Sequence, residues 1–185
     1  MQRLVVITIG KTHSGKTIFA KALEKQLTNS FVMDQDNQAE FINTYYKNLQ
    51  PNQGPNILKH ALSKQIVDYA KEHTNLHIII CNSNRSRKDR EYLLEELFQK
   101  NDFYRILVHL DIPNEVLLKR VTESKRSTNI LRGAATSFEE VLKRQQASKS
   151  ASPPIDGEAD RLFVIKESAE VYIIIKEIVR ITESS

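Results

Sequence analysis

The sequence has one cysteine, Cys81, so it can form no internal disulfide, which fits a reducing compartment. It has no internal repeat, no low-complexity tract and no apolar run long enough to cross a membrane. The few apolar residues between Met1 and Gly10 are too short for a signal peptide, so the expected location is the cytoplasm, with no membrane partner. It also lacks an Asn-Lys-x-Asp motif, which disfavours a guanine-nucleotide switch. What remains is ordinary for a globular protein: 185 residues, 40% hydrophobic and 27% charged, suiting one domain with one core.

Net charge is +4, from 27 Lys and Arg against 23 Asp and Glu. Its distribution says more than its size. Eight basic residues lie between Lys119 and Lys149 (Lys119, Arg120, Lys125, Arg126, Arg132, Lys143, Arg144, Lys149), against Glu123, Glu139 and Glu140. That excess suits a polyanionic ligand or a solvated helix face.

The pattern predicts strands at Leu4–Ile9, Phe31–Met33, Leu76–Cys81, Tyr104–Leu110 and Arg161–Ile165. Helices are expected at Lys16–Leu27, Asn37–Leu49, from Ile57 to Ala70, Arg87–Lys100, after Pro113, Ser137–Gln146 and Ala169–Ile181. Pro51-Asn52-Gln53-Gly54-Pro55 reads as a turn and Ser150–Gly157 as a polar linker. Strands alternating with helices imply a parallel sheet with right-handed crossovers. The polar stretch around residues 122–137 reads as a lid-like insert, not a second domain.

Three stretches carry chemistry. Gly10-Lys11-Thr12-His13-Ser14-Gly15-Lys16-Thr17 fits GxxxxGK[ST] between a predicted strand and a predicted helix, the context a phosphate loop requires. Its glycines let backbone N–H groups turn towards phosphate oxygens, and the helix adds its positive end. Lys16 would reach the β- and γ-phosphates of ATP, and Thr17 would offer a hydroxyl to Mg²⁺. His13 reads as a spacer in the loop.

The second stretch is "VMDQDNQAE". Asp34 and Asp36, two apart on extended chain, would face the same side, towards the phosphate loop. Either could take a proton from a hydroxyl acceptor or hold Mg²⁺ through water; the alternative for both is to cap a helix. The third is "IIICNSNRSRKDR". Where many nucleotide hydrolases end a strand in Asp, this chain has Cys81 and Asn82. Asn82 or Asn84 could bond a substrate or a metal-bound water, and a buried Cys81 is the commoner fate of such a thiol.

These stretches, with "LDIPNEVLLKR" ahead of the basic insert, resemble the small P-loop kinases related to polynucleotide 5′-kinase, zeta-type toxins and chloramphenicol phosphotransferase. The resemblance runs through nearly the whole chain. It implies an α/β P-loop NTPase fold, three layers with a five-stranded parallel sheet in the order 2-3-1-4-5, that uses ATP and Mg²⁺ to phosphorylate a hydroxyl. It implies that Lys16 and Thr17 bind phosphate and Mg²⁺, with Asp36 the general base and Asp34 the polar residue before it. Ser83-Asn84 match Thr-Asn, Arg120 and Arg126 match arginines that close over ATP, and Arg132 and Arg144 are further candidates for that role. The acceptor would enter between Asp36, Asn84 and the helix after Asp36. Two places depart from the family. Ala39 stands where polynucleotide kinases carry a substrate-binding arginine, and Cys81 stands where an Asp often ends the third strand. The acceptor stays open between small molecule, nucleoside and nucleic-acid end. A binding module without transfer, or a nucleic-acid-binding protein, stays open beside the kinase.

Overall fold

The computed structural model describes residues 2–50, 54, 56–131 and 135–183. Most of the expected Pro51–Pro55 turn, and Arg132, Gly133 and Ala134, lie outside the described residues.

Five strands form one parallel sheet: β1 (Arg3–Ile9), β2 (Ser30–Met33), β3 (His77–Ile80), β4 (Phe103–Leu110) and β5 (Arg161–Ile165). Their order is β2-β3-β1-β4-β5, as expected. β1 lies at the centre, pairing Val5 with Ile78 of β3 and Arg105 of β4. Because successive side chains of a strand point to opposite faces, β1 feeds two cores. Leu4 and Val6 pack with Phe19, Leu23, Leu117, Leu142 and Ile175 on one face. Val5, Ile7 and Ile9 pack with Val67, Leu94 and Phe98 on the other. A strand buried on both faces accounts for its unbroken apolar run.

Helices cover both faces: α1 (Lys16–Gln26), α2 (Gln35–Tyr45), α3 (Ile57–His73), α4 (Arg87–Glu91), α5 (Asn114–Thr122), α6 (Phe138–Ala147) and α7 (Glu170–Glu183). Two helices differ from expectation. The one after β2 begins at Gln35, because the Asp34 carboxylate accepts from the Asp36 N–H at 3.0 Å and so caps it; it ends at Tyr45, and a 3₁₀ turn at Lys47–Leu49 follows. The expected Arg87–Lys100 helix is α4 continued by a π-helical turn at Tyr92–Leu97, where the Phe98 N–H reaches back to the Leu93 carbonyl at 2.8 Å. In that wider turn the Leu94 carbonyl accepts from Arg105 Nη1 at 3.2 Å.

The linker ahead of β5 is a strap held by buried ion pairs. Arg90, fully buried, donates to both oxygens of Glu158 at 2.7 and 2.9 Å and to the carbonyls of Asn84, Arg85, Ser152 and Pro153. Arg105 holds Asp160 through Nε at 3.1 Å. Among the described residues no helix is long and apolar enough to cross a membrane.

Candidate active site

The loop between β1 and α1 lies at the carboxyl end of the central strand. Gly10 has φ of 157°; a Cβ there would stand 2.6 Å from Ser14 Oγ and 3.0 Å from the Leu110 carbonyl, so the cradle closes only on glycine. Its N–H donates to the Ser83 carbonyl at 3.0 Å, tying the loop to the segment after β3. Gly15, at φ of 100°, starts α1 in the left-handed region, and His13 adopts φ of 59°. Ser14 Oγ is buried with no hydrogen-bond partner, a polar atom aimed into the turn of the loop.

Lys16 Nζ donates to the Lys11 carbonyl at 2.6 Å, spanning the loop's concave side. Burial pushes its ammonium down to about 8; the nearby Asp36 and Asp34 carboxylates partly offset this. Cys81 adds no charge to that balance at neutral pH, because burial pushes its thiol up to about 12. Thr17 Oγ1 donates to Asp34 Oδ2 at 3.2 Å, and Cys81 Sγ lies 3.6 Å from the same hydroxyl. Asp34 therefore caps α2 with one oxygen, one of the roles its position left open, and meets the Thr17 hydroxyl with the other.

Asp36 is not on extended chain beside Asp34. It stands in the first turn of α2, and its Oδ2 accepts from Arg126 Nη2 at 2.6 Å. The Arg126 guanidinium also lies over the Phe138 ring, 5.4 Å from its centroid. The insert is docked on α2: Asn129 Nδ2 donates to Thr44 Oγ1 at 3.1 Å, and Asn43 Nδ2 to the Asn129 carbonyl. Arg120 Nη1 donates to the carbonyls of His13 and Ser14 at 3.2 and 3.4 Å, and its Nη2 reaches Ser168 Oγ at 3.1 Å.

Thr12–Thr17, Asp36, Asn82, Arg120 and Arg126 line, among others, one cavity of about 880 Å³; Asp34 is not part of its wall. Asn82 Oδ1 accepts from the Gln35 N–H at 3.2 Å at its edge. Asn84 is not brought there. It is buried, at φ of 43°, and donates to the Thr8 carbonyl at 2.9 Å, so its amide is consumed holding the strand ends together. The Lys11 side chain leaves the cradle for Asn114 Oδ1 at 2.7 Å, leaving only its backbone to the loop. Arg144 is exposed on α6, outside the cavity wall.

Among the cavity residues that sequence reasoning missed are Lys59, Ser124, Phe138 and Gln145. Gln145 Oε1 accepts from the Thr12 N–H at 2.7 Å, and its carbonyl accepts from Arg85 Nη2 at 2.5 Å, so α6 grips the phosphate loop. Its signal was a polar residue continuing the apolar stripe of Phe138 and Leu142. The side chain of His13, read as a spacer, bonds Thr12 Oγ1 at 2.9 Å and Ser124 Oγ at 2.8 Å and packs edge-on against Phe138. Burial first, then Arg126 and Lys16, pushes its imidazole below the ordinary range.

The donor set fits a nucleotide with Mg²⁺. A glycine-only cradle, a buried unpartnered Ser14 hydroxyl and the Lys16 ammonium suit phosphate oxygens. The hard oxygens of Thr17 and Asp34 suit Mg²⁺. Among the described residues no three His, Cys, Asp or Glu gather, so such an ion would share its shell with phosphate and water.

A family model described as an AAA domain matches residues 5–151. No curated protein matches the chain. Solved structures resemble it along almost its whole length. A protein of Chloroflexus aurantiacus provisionally described as a kinase has a TM-score of 0.68 at 16% identity, covering 97% of this chain and 98% of that one. The Mycobacterium tuberculosis APS kinase CysC, in complex with AMPPNP and APS, gives 0.59 at 15%, covering 98% of each. Chaetomium thermophilum Kti12, in complex with ADP-AlF3, gives 0.60 at 14%, covering 94% and 96%. At such identities the likeness shows the fold, a kinase-like P-loop α/β fold.

Proposed function

The chain belongs to the AAA-domain family, and from that premise and the cavity we propose that it is an ATP-dependent phosphotransferase that moves the γ-phosphoryl group of ATP to a hydroxyl. The observation that carries this reading is that one cavity holds both Lys16 of the phosphate loop and the Asp36 carboxylate, with Arg126 between the walls. That two proteins of similar fold were solved in complex with AMPPNP and with ADP-AlF3 supports a nucleotide ligand for this chain.

ATP would supply the phosphoryl group, and Mg²⁺ would neutralise charge on its phosphates. The N–H groups of His13, Gly15, Lys16 and Thr17 would hold the phosphates, those of Gly10 and Thr12 being taken by Ser83 and Gln145, and Lys16 Nζ would exchange the Lys11 carbonyl for a phosphate oxygen. Thr17 and Asp34 would hold the ion. Arg120, already on the loop carbonyls of His13 and Ser14, turns its remaining N–H groups to the triphosphate. Arg126 leaves Asp36 for the transferring group, and the carboxylate it uncovers accepts the hydroxyl proton. Positioning and charge stabilisation of this kind are most of what phosphoryl transfer requires.

A second reading, an ATP-binding module with little or no transfer, rests on Cys81, which offers no carboxylate at the end of β3. A screen with γ-labelled ATP against hydroxyl metabolites and 5′-hydroxyl oligonucleotides separates the two. Label on an acceptor supports the kinase. Tight ATP binding with label on none supports the module.

A further inference from the structure

We propose that His13 is a positioning residue: its imidazole latches the insert to the phosphate loop and so sets where Arg126 stands against Asp36. This rests on the reading of the site as an ATP-dependent kinase and adds the residue that ties the two ends of the cavity together.

His13 belongs to the loop that would hold phosphate, and its carbonyl accepts from Arg120 Nη1 at 3.2 Å. Its ring turns away from the loop. Nδ1 bonds Thr12 Oγ1 at 2.9 Å, and Nε2 bonds Ser124 Oγ at 2.8 Å. Thr12 is itself held, its N–H donating to Gln145 Oε1 at 2.7 Å. The ring is therefore fixed through one nitrogen and presents the other to the insert. Ser124 Oγ also accepts from the Arg126 N–H at 3.2 Å, and Arg126 Nη2 donates to Asp36 Oδ2 at 2.6 Å. A second route joins the same residues. Phe138 packs edge-to-face with the His13 ring, centroids 4.9 Å apart, and the Arg126 guanidinium lies 5.4 Å from the centroid of the same Phe138 ring. Arg126 is thus placed from His13 at its backbone and again at its guanidinium.

The loop backbone is an independent sign. His13 has φ of 59°, in the left-handed region that glycine adopts freely and histidine only at a cost. A side chain kept where glycine would serve the turn better is explained by what that side chain holds, and here it holds the insert. The ring also meets the insert uncharged. Burial first, then Arg126 and Lys16, with Arg120 adding to them and Glu139 opposing, keeps the imidazole below its ordinary range, so it does not repel the guanidinium it positions. Transfer needs that guanidinium in one place, since a misplacement of about 1 Å can cost about a hundredfold in rate.

The test removes the ring and keeps the loop. His13→Gly suits the left-handed angle and retains the backbone N–H. Hydrogen exchange across 124–131, read with AMPPNP bound, should run at least about tenfold faster in His13→Gly and in Ser124→Ala than in the native protein. The AMPPNP Kd of His13→Gly should rise by less than about threefold, while kcat for transfer from γ-labelled ATP falls at least about tenfold. His13→Gln places an amide near the site of Nε2 and should recover most of both losses. His13→Asn reaches only as far as Nδ1, towards Thr12, and should recover neither. In an Arg126→Ala background His13→Gly should cost no further transfer, because the ring acts through Arg126. Native exchange in His13→Gly, recovery by His13→Asn as full as by His13→Gln, or the same fold-loss of transfer with and without Arg126 would overturn the inference and leave the kinase standing. Fast exchange in His13→Gly and Ser124→Ala, in a protein that binds AMPPNP and transfers label to no acceptor, would support the latch and count against the kinase. Native exchange with no transfer would overturn both.

Discussion

Arg126 and Asp36, ninety positions apart in sequence, meet across the mouth of the cavity with Nη2 2.6 Å from Oδ2. The insert's arginine thus covers the carboxylate proposed to take the acceptor's proton. Both side chains are about two-fifths exposed, so water screens the pair and it contributes little to stability. Arg126→Ala should change unfolding free energy by less than about 1 kcal/mol. Hydrogen exchange across 124–131 should nevertheless speed up, because the insert loses its tie to α2. Exchange there equal to that of the native protein would mean that Asn129 alone holds the insert down.

Lys16 makes nucleotide binding depend on pH. Burial lowers its folded value from 10.5 to about 8. A triphosphate beside it favours the ammonium and raises that value in the complex. Affinity should be complete below pH 8 and fall by up to about tenfold per unit above it, with proton uptake on binding. Stability of the ligand-free protein runs the other way. The folded state binds fewer protons than the unfolded one between pH 8 and 10.5, so this group adds stability as pH rises through that window. Calorimetry of AMPPNP binding at pH 7.5 and 9.5, in buffers of different ionisation enthalpy, checks the first. Lys16→Met should show neither dependence.

Cys81 should be inert. Its thiol is buried, and that burial pushes its titration up to about 12, so thiolate is scarce at neutral pH. Alkylation by iodoacetamide should run at least about a hundredfold slower in the native state than in denaturant. Fast native labelling would mean that the segment after β3 opens readily.

How far the sequence could be read depended on the range of the interaction. The phosphate loop was legible because its geometry is local: Gly10 is required by the approach of Ser14, four residues away. The sheet order came from the resemblance; the alternation of strand and helix implies only that the strands run parallel. Side-chain direction was not legible. Asn84 sits in a motif suited to substrate and is turned inward to the Thr8 carbonyl. Asp36 stands in the first turn of α2 and not on extended chain, because Asp34 caps that helix. Gln145 and Lys59 reach the cavity from α6 and α3, far in sequence from the loop between β1 and α1. The same holds for Arg90, whose partner Glu158 is 68 residues away.

That buried pair should dominate the stability of the strap. Arg90→Ala leaves Glu158 without its guanidinium and unpairs the carbonyls of Asn84, Arg85 and Ser152. The cost should be about 3–5 kcal/mol, read from urea unfolding. Asn84 and Arg85 adjoin the cavity wall, so AMPPNP affinity should fall as well. A loss under about 1 kcal/mol would show that the strap is held elsewhere.

The central claim is that Asp36 takes the proton of an acceptor hydroxyl while the loop around Lys16 holds ATP. The most direct measurement is single-turnover transfer from γ-labelled ATP to the best acceptor, in the native protein and in Asp36→Asn, beside AMPPNP affinity for both. Asp36→Asn keeps the shape and removes the charge. Transfer should fall by about 10²–10⁴-fold, while AMPPNP affinity stays close to native. Near-native transfer by Asp36→Asn, with nucleotide bound as before, would contradict the account.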